Sequence, residues 1–357
     1  MTGGIERVDL APGYSISRLL KGGWQLAGGH GAIDRDRAIE DMRRFVDAGM
    51  TTFDCADIYT GVEALIGDFL DRLRRERGAA AAAAVQVHTK FVPDLDALAT
   101  MTRADVARAI DRSLTRLRVE RIDLVQFHWW DYDVPRYVEV AGWLADLQRA
   151  GKIRLVGLTN FDTPSVRHIL DAGVPIASHQ VQYSLLDRRP EGGMAALCRE
   201  RGVALLCYGA LAGGFLSAKY AGTPPPGEPM ENRSLVKYRL IIDEFGGWAL
   251  FQDLLAALAV VGRRHDATVG AVALRSVLDR PAVAGAIVGA RHAGHLAGTI
   301  AASSLRLDDE DRAIVDRVLA RARGPLGDVY DLERVKGGRH AAVMKYNLNR
   351  TTPGGTR

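Results

Sequence analysis

The stretch TTFDCADIYTGVEALIG, residues 51–67, joins one β-strand to one helix. A short run of β-branched and aromatic residues predicts a strand that ends near Asp54, and apolar residues at helical spacing predict a helix that begins near Val62. The loop between them carries Tyr59. A strand-end aspartate is more often a cap or a turn residue, but an acid there and a tyrosine five residues later can face one cleft.

Two later strands also end in residues that can carry chemistry. Lys90 closes VQVHTK, and His128 closes IDLVQFH. Lysine occurs at only seven positions, and the rest of the 47 basic residues are arginines. A lysine inside an apolar strand is therefore notable. An acid, a tyrosine, a lysine and a histidine thus occupy similar places in successive strand–helix units.

The composition is that of a globular protein with a sizeable core. Of the 357 residues, 47% are hydrophobic and 25% are charged, and the net charge is only +4. No basic stripe typical of nucleic-acid binding occurs, and no apolar run approaches the ~20 residues of a membrane span. The first fifteen residues lack an apolar core, so we expect no signal peptide and a cytoplasmic location, with neither nucleic acid nor a membrane as partner.

Eight predicted strands alternate with helical segments along the chain. The strands are expected at 19–25, 51–54, 85–90, 122–128, 153–160, 176–182, 203–208 and 284–290. Several are near-continuous apolar runs, which is typical of a parallel sheet covered on both faces. Eight such units over ~300 residues favour a closed (β/α)8 TIM barrel of the α/β class over an open sheet. We expect one domain over 1–357, with the barrel at about 17–321 and a tail at 322–357.

Three features are added to the predicted barrel. Residues 8–18 predict an N-terminal β-hairpin around Pro12-Gly13. The alanine-rich stretch 78–84 is interpreted as a connector inserted at the surface. A long segment rich in glycine and proline, 209–248, follows the seventh strand, and an extra helix precedes the tail.

The active site of such a barrel lies at the C-terminal ends of its strands. Six polar residues fall at or near those ends, namely Asp54, Lys90, His128, Asn160, Gln180 and Tyr208. One of them could be a strand cap, but six in register are hard to explain in that way. The three cysteines are too few and too scattered for a disulfide framework or a zinc site.

These motifs resemble those of the aldo-keto reductase family. FDCADIY is similar to the strand-two motif with the catalytic aspartate and tyrosine, HTK to the strand-three lysine, and DLVQFHWW to the strand-four histidine. GKIRLVGLTNF and HQVQYSLLD resemble the strands that bind the nicotinamide amide. CYGALAGGFLSAKY resembles the loop that wraps the pyrophosphate, and IVGAR resembles the adenosine site. The resemblance extends from about residue 17 to 320.

The resemblance implies an NADP(H)-dependent oxidoreductase, without a metal, that reduces an aldehyde or ketone to the alcohol or runs the reverse oxidation. Tyr59 would be the general acid, its pKa lowered by the ammonium of Lys90, and Asp54 would supply the counter-charge of Lys90. His128 would orient the carbonyl and polarise it or relay a proton. A metal-ligating role for His128 is disfavoured because no further ligand accompanies it at suitable spacing.

The cofactor and substrate residues likewise come from the resemblance. Thr159, Asn160 and Gln180 would hydrogen-bond the carboxamide, Tyr208 would stack on the nicotinamide, and Arg291 would bind the 2′-phosphate of NADP. The implied cofactor set is Trp24, Thr159, Asn160, Gln180, Tyr208, Gly209, Leu211, Gly213, Gly214, Leu216, Gly289, Arg291 and His295. The implied apolar substrate pocket is lined by Trp24, Ile58, Trp129 and Trp130.

Two departures from the family pattern concern the choice of cofactor. After the arginine the family usually carries an acidic or glutamine pair and an asparagine, where this chain has Gly294, His295 and Thr299. In the strand-seven loop a usual Ser-Pro is Gly209-Ala210. NAD(H) therefore stays possible beside NADP(H).

Two other functions stay open at this point. A regulatory or redox-sensing module of the channel β-subunit type would keep the fold and the cofactor with slow or no turnover. A barrel metallohydrolase would need a set of metal ligands that the sequence does not show. The aromatic and aliphatic residues of segment 209–248 predict that it is ordered, beside the cofactor or against another subunit.

Overall fold

The computed structural model describes residues 4–29, 31–289 and 291–349, and within them eight parallel strands close into a barrel. The strands of the barrel are β3 (Leu19–Gly22), β4 (Thr52–Asp54), β5 (Gln86–Phe91), β6 (Ile122–Phe127), β7 (Ile153–Thr159), β8 (Ile176–Gln182), β9 (Ala204–Tyr208) and β10 (Val283–Gly289). Each pairs with its neighbours in chain order, and β10 pairs with both β9 and β3. The predicted (β/α)8 TIM barrel is confirmed, and the predicted strands match the observed ones to within a few residues.

Helices follow the strands and cover the outside of the barrel. They are α1 (Arg35–Asp47), α2 (Val62–Arg77), α3 (Ala79–Ala83), α4 (Arg103–Leu117), α5 (Tyr137–Arg149), α6 (Thr163–Asp171), α7 (Met194–Arg201), α8 (Arg233–Phe245), α9 (Trp248–Arg264), α10 (Val269–Leu278), α11 (Leu296–Ser304), α12 (Asp309–Leu319) and α13 (Asp331–Arg334). Helix α1 begins after Asp34, whose side chain accepts from the Arg37 amide, and α4 begins with a capping box formed by Thr102 and Asp105.

The alanine-rich stretch 78–84 differs from its prediction. It lies at the surface, as expected, but Ala79–Ala83 forms the short helix α3, and Ala82 is buried. Alanine has the highest helix propensity of all residues, so a run of five adds a helical turn after α2 instead of an irregular connector.

The N-terminal hairpin closes the end of the barrel opposite to the predicted site. It consists of β1 (Arg7–Ala11) and β2 (Tyr14–Ser17), paired antiparallel as predicted. Tyr14 and Ile16 pack in one cluster with Leu124 of β6 and with Ala284, which lies near the start of β10. The Tyr14 hydroxyl also lies 3.0 Å from Nε2 of His88 inside the barrel. The hairpin therefore fills the bottom of the barrel and leaves the other end for function.

Segment 209–248 and residues 322–349 of the tail are ordered parts of the fold, and residues 350–357 of the predicted tail lie outside the described residues. The segment contains helix α8, which is capped by the side chain of Asn232 and packs with α9 around Ile241, Phe245 and Phe251. The tail contributes α13 and a 3-10 turn at Ala341–Val343. The prediction of an ordered segment is confirmed.

Within the described part of the chain no single helix is long and apolar enough to cross a membrane. Helices α8 and α9 meet the length and composition criteria only as a pair, which is bent by 94° at the break between them.

Candidate active site

A buried ion pair lies at the C-terminal ends of two neighbouring strands. Lys90 Nζ on β5 donates to Asp54 Oδ2 on β4 at 2.7 Å and to the Cys55 carbonyl at 2.9 Å. Both side chains are almost completely buried. The ammonium also lies 5.1 Å from the centroid of the half-buried Tyr59 ring. The structure thus brings together the acid, the lysine and the tyrosine that the sequence placed on separate elements.

The second oxygen of Asp54 is held by two amide side chains. Gln126 Nε2 donates to Asp54 Oδ1 at 3.0 Å, and Gln180 Nε2 donates to the same oxygen at 2.7 Å and to Gln126 Oε1 at 2.7 Å. Sequence reasoning missed Gln126. The available signal was its position two residues before His128, because alternate residues of a barrel strand face the interior.

Burial and the neighbouring charges together set the pKa values of the lysine and the tyrosine. Burial acts to lower the pKa of Lys90, but Asp54 and Tyr59 outweigh it and raise that pKa to about 12. Burial raises the pKa of Tyr59 above its ordinary value of 10.0, and the Lys90 charge offsets only part of this effect. The predicted lowering of the Tyr59 pKa is therefore wrong for this structure, because desolvation outweighs the attraction of the lysine.

His128 is a neutral imidazole with one ring nitrogen engaged. Burial, with a smaller contribution from the charge of Arg334, lowers the pKa of His128 to about 3. Nδ1 lies 3.1 Å from the Thr159 carbonyl, and because a carbonyl oxygen only accepts, Nδ1 carries the proton. Nε2 therefore presents a lone pair, is buried, and has no partner within the described residues. This tautomer cannot polarise a carbonyl by donating from Nε2, so that predicted role of His128 is corrected to hydrogen-bond acceptance.

Three of the four residues predicted to line the substrate pocket, Trp24, Ile58 and Trp130, lie at the barrel mouth. Trp24 lies edge-on to Tyr59 with ring centroids 5.1 Å apart, and Trp130 lies edge-on to His128 at 4.2 Å. Ile58 and Trp130 line one crevice at the barrel mouth together with Val92, Pro93 and Leu348.

Trp129 does not line the pocket, and its prediction is wrong. Its side chain is fully buried, packs edge-on against Phe127, and donates from Nε1 to the Val134 carbonyl. Trp129 and Trp130 are adjacent at the strand end and point to different sides, so Trp129 enters the layer between the barrel and the helices.

The residues predicted for the nicotinamide lie together at the ends of β7, β8 and β9. The Tyr208 hydroxyl donates to Asn160 Oδ1 at 2.9 Å, and the Thr159 carbonyl faces His128. Gln180 uses its amide nitrogen on Asp54, which leaves its oxygen as the atom able to accept from a carboxamide. Lys237 on α8 lies 5.1 Å from the Tyr208 ring centroid, a neighbour that the sequence did not predict.

The glycine loop after β9 is packed against α8. A Cβ on Gly209 would meet the Tyr238 hydroxyl at 2.4 Å, and one on Gly213 would meet the Tyr238 ring at 2.7 Å. A Cβ on Gly214 would meet nothing within 4 Å. Leu211 is partly buried and Leu216 is fully buried in the apolar cluster beneath the loop. Glycine at 209 and 213 is therefore required by the approach of Tyr238, and the backbone at Gly214 is open to a ligand.

The loop after β10 is tied to the loop that follows the neighbouring strand β3. Arg291 donates from its backbone amide to the Gln25 side chain at 3.1 Å and from Nη2 to the Ala32 carbonyl at 2.9 Å. The Gln25 amide also lies against Gly289. Asp41 on α1 accepts from the Ala293 amide at 3.2 Å, next to the turn that contains His295. Gln25 and Asp41 are positioning residues that no sequence motif indicated.

The tail covers one side of the barrel mouth, which the sequence did not reveal. Tyr330 lies edge-on to His128 with ring centroids 5.7 Å apart, and Tyr346 lies edge-on to Trp130 at 4.9 Å. The Asn349 side chain donates to the Val92 carbonyl at 2.7 Å.

A buried set of four charges holds the tail in place. Arg189, after β8, pairs with Asp187 at 2.7 Å and with Glu333 of α13 at 3.1 Å. Lys237 of α8 lies 3.6 Å from Glu333. Burial acts to raise the pKa of Glu333, but Lys237 and Arg189 outweigh it and lower that pKa to about 2. The two negative and two positive groups compensate one another and lock α8 and α13 together.

The chemistry of this donor set suits a nicotinamide cofactor. Amide and hydroxyl groups meet at the ends of β7 to β9, the loop backbone is open at Gly214, and an arginine stands after β10. Within residues 4–29, 31–289 and 291–349, no group of three or more His, Cys, Asp or Glu side chains is placed to hold a metal ion.

Comparisons with known proteins give the same assignment. A family model described as "Aldo/keto reductase family" matches residues 18–320. The chain is 26% identical over 330 residues to the NADH-specific methylglyoxal reductase of Escherichia coli (strain K12), covering 86% of this chain and 96% of that protein. It is 30% identical over 263 residues to the flagellar radial spoke protein 5 of Chlamydomonas reinhardtii, covering 63% of this chain and 49% of that protein.

A solved structure is similar to this chain over most of its length. The glycerol dehydrogenase AKR11B4 from Gluconobacter oxydans superposes with a TM-score of 0.74 at 26% identity, covering 91% of this chain and 98% of that chain. The family model spans most of the chain. The chain therefore belongs to the aldo-keto reductase family of NAD(P)H-dependent oxidoreductases that act on carbonyl compounds.

Proposed function

We propose that the chain reduces an aldehyde or ketone with NADPH, or oxidises the corresponding alcohol, and that Tyr59 is the general acid. One observation carries this proposal: the buried Lys90–Asp54 pair lies against the ring of Tyr59 at the functional end of the barrel. A buried ion pair is costly to build, so its position beneath a half-buried phenol favours a role in chemistry.

The protonation states support proton donation by Tyr59. Because its pKa is raised by burial, the phenol keeps its proton at neutral pH and can give it to the carbonyl oxygen. The charged ammonium of Lys90 then stabilises the phenolate, since it is already oriented by Asp54. When bound, the nicotinamide supplies the hydride to the carbonyl carbon.

His128 is proposed to position the reacting oxygen as an acceptor. Its Nε2 lone pair can accept a hydrogen bond from the hydroxyl of the alcohol, while Nδ1 continues to donate to the Thr159 carbonyl. The cofactor would be held by Asn160, the side-chain oxygen of Gln180, the ring of Tyr208 and the backbone around Gly214.

The preference for NADPH is proposed on Arg291 alone. Arg291 follows β10, and its guanidinium, which donates from Nη2 to the Ala32 carbonyl at 2.9 Å, would supply the positive charge that pairs with a 2′-phosphate. One relative is named as an NADH-specific methylglyoxal reductase, so membership of the family does not by itself select NADPH over NADH. The affinity for each cofactor therefore has to be measured.

The general acid is tested with Tyr59→Phe, which removes one hydroxyl and keeps the ring. NADPH affinity should be unchanged by fluorescence quenching, while single-turnover hydride transfer to benzaldehyde should fall at least ~100-fold. Tyr137→Phe is the matched control, because that hydroxyl contacts His168 away from the site. Near-parental transfer in Tyr59→Phe would show that the tyrosine is not the acid.

The same assay separates an enzyme from a regulatory module. An enzyme of this family should oxidise NADPH at cycles per second on a suitable aldehyde, within the usual range of ~1–1,000 per second. Tight NADPH binding with turnover of cycles per hour across a panel of aldehydes and ketones would instead support the regulatory role.

A further inference from the structure

The tail places an arginine directly beside the catalytic imidazole. Arg334 Nη2 donates to the Trp129 carbonyl at 2.9 Å and to the Asn160 carbonyl at 2.8 Å. These two residues directly follow His128 and Thr159, which form the hydrogen bond that fixes the imidazole. The guanidinium and the imidazole are therefore anchored at adjacent positions on the same two strand ends.

Aromatic rings set the orientation of this guanidinium. Its Cζ lies 4.3 Å from the Tyr132 ring centroid and 5.1 Å from the Tyr330 ring centroid. Tyr330 also lies edge-on to His128. Two rings against a planar cation hold it by cation–π attraction and restrict the access of water.

Arg334 has donors that no protein group accepts. Nε and Nη1 are buried without a hydrogen-bond partner, and the described residues place no carboxylate within ion-pair distance of this guanidinium. The two lysines of the site are compensated, Lys90 by Asp54 and Lys237 by Glu333. Buried N–H groups without acceptors are costly and rare in native proteins.

His128 Nε2 is also buried without a partner. The site thus holds two unsatisfied groups of opposite kind: a lone pair at His128 and N–H donors on a cation at Arg334. A ligand that satisfies both has a hydroxyl group at one end, as the alcohol form of a substrate does, and an anionic group at the other.

We propose that the substrate is a carbonyl compound that carries a carboxylate, and that Arg334 binds this carboxylate. The inference rests on the proposed function, because it gives the chemical class of the substrate reduced there. One guanidinium matches the single charge and two oxygens of a carboxylate. Binding energy gained at Arg334 holds the carbonyl next to Tyr59 and His128.

Anchoring of the tail does not by itself account for this arrangement. Nη2 makes both contacts to the strand ends, and Glu333 already fixes α13 through Arg189. Neither contact requires Nε and Nη1 to be buried without acceptors.

The test compares 4-carboxybenzaldehyde with methyl 4-formylbenzoate, which has nearly the same shape and no charge. In Arg334→Gln, kcat/KM for the acid should fall roughly 10- to 100-fold, mainly through KM, as for loss of a hydrogen bond to a charged group. The ester should change less than about threefold. Arg334→Lys should keep part of the activity on the acid.

Arg339→Gln is the matched control, since it removes a positive charge from the same tail at an exposed ion pair with Asp243. It should leave kcat/KM unchanged for both the acid and the ester.

A parallel calorimetric titration with benzoate, in the presence of NADP+, measures carboxylate binding without turnover. Benzoate should bind the Arg334→Gln protein at least about tenfold more weakly than the parent.

Two results would overturn the proposal: equal loss of activity on the acid and the ester in Arg334→Gln, or benzoate binding that is the same in parent and variant. Equal loss would assign Arg334 to tail anchoring only. If the parent reduces neither aldehyde, the proposed function fails, and the benzoate titration still decides whether Arg334 binds a carboxylate.

Discussion

Replacing Lys90 by methionine should destabilise the fold as well as stop the chemistry. The substitution keeps the length of the side chain and removes the charge that compensates Asp54. The pair is 2.7 Å apart, with side-chain exposures of only 7% and 5%. Leaving one member of such a pair uncompensated costs about 3–5 kcal/mol of the free energy of unfolding. We expect the lower end, about 3 kcal/mol, because Gln126 and Gln180 still donate to Asp54.

The assay is equilibrium urea denaturation followed by circular dichroism. The double variant Asp54→Asn/Lys90→Met removes the stranded charge and should recover at least half of the loss. Lys152→Met is the matched control, because its pair with Asp111 is at the surface and should contribute at most about 1 kcal/mol. The reasoning is refuted if Lys90→Met is no less stable than Lys152→Met, or if the double variant is no more stable than Lys90→Met.

The other predictions address the cofactor, the Asp54 cluster and acid stability. Arg291→Ala should weaken NADPH binding by roughly 1.5–3 kcal/mol and leave NADH binding nearly unchanged; equal affinity of the parent for both cofactors would contradict the assignment. Gln126→Leu should slow single-turnover hydride transfer by about tenfold, since Asp54 loses a donor worth roughly 1.5–3 kcal/mol, while NADPH affinity measured by fluorescence quenching stays the same. His88 is buried, and burial lowers its pKa to about 3 from 6.5. As pH falls below 6.5, His88 binds a proton in the unfolded chain but not in the folded chain. The free energy of unfolding should therefore decrease as pH falls from 6.5 toward 3. His88→Gln should flatten that decrease in denaturation curves measured between these pH values, and an unchanged slope would contradict this account.

The sequence predicted the local features of the site well. Asp54 ends β4, Lys90 is the penultimate residue of β5, and His128 directly follows β6. Strand ends can be recognised from the composition and periodicity of a few residues. Once eight strand–helix units are present, barrel closure brings those ends to one rim. The positions of these residues at one rim therefore follow from local patterns together with barrel closure.

The direction of individual side chains could not be predicted in the same way. Trp129 and Trp130 are neighbours of the same type, but one is fully buried behind the strand and the other contacts His128. The raised pKa of Tyr59 also depends on how completely the site is desolvated, which is a property of the packed structure.

The sequence was enough to predict the order of strands and helices, the barrel, and the strand-end positions of the acid, the lysine and the histidine, because neighbouring residues carry the periodicity and the strand boundaries. Three contacts are seen only in the folded chain: Gln126 holds Asp54, Tyr238 packs on the glycine loop, and Arg334 reaches Asn160 across 174 positions of the chain. Contacts between residues so far apart leave no periodic pattern, since they arise only when the tail folds back over the closed barrel.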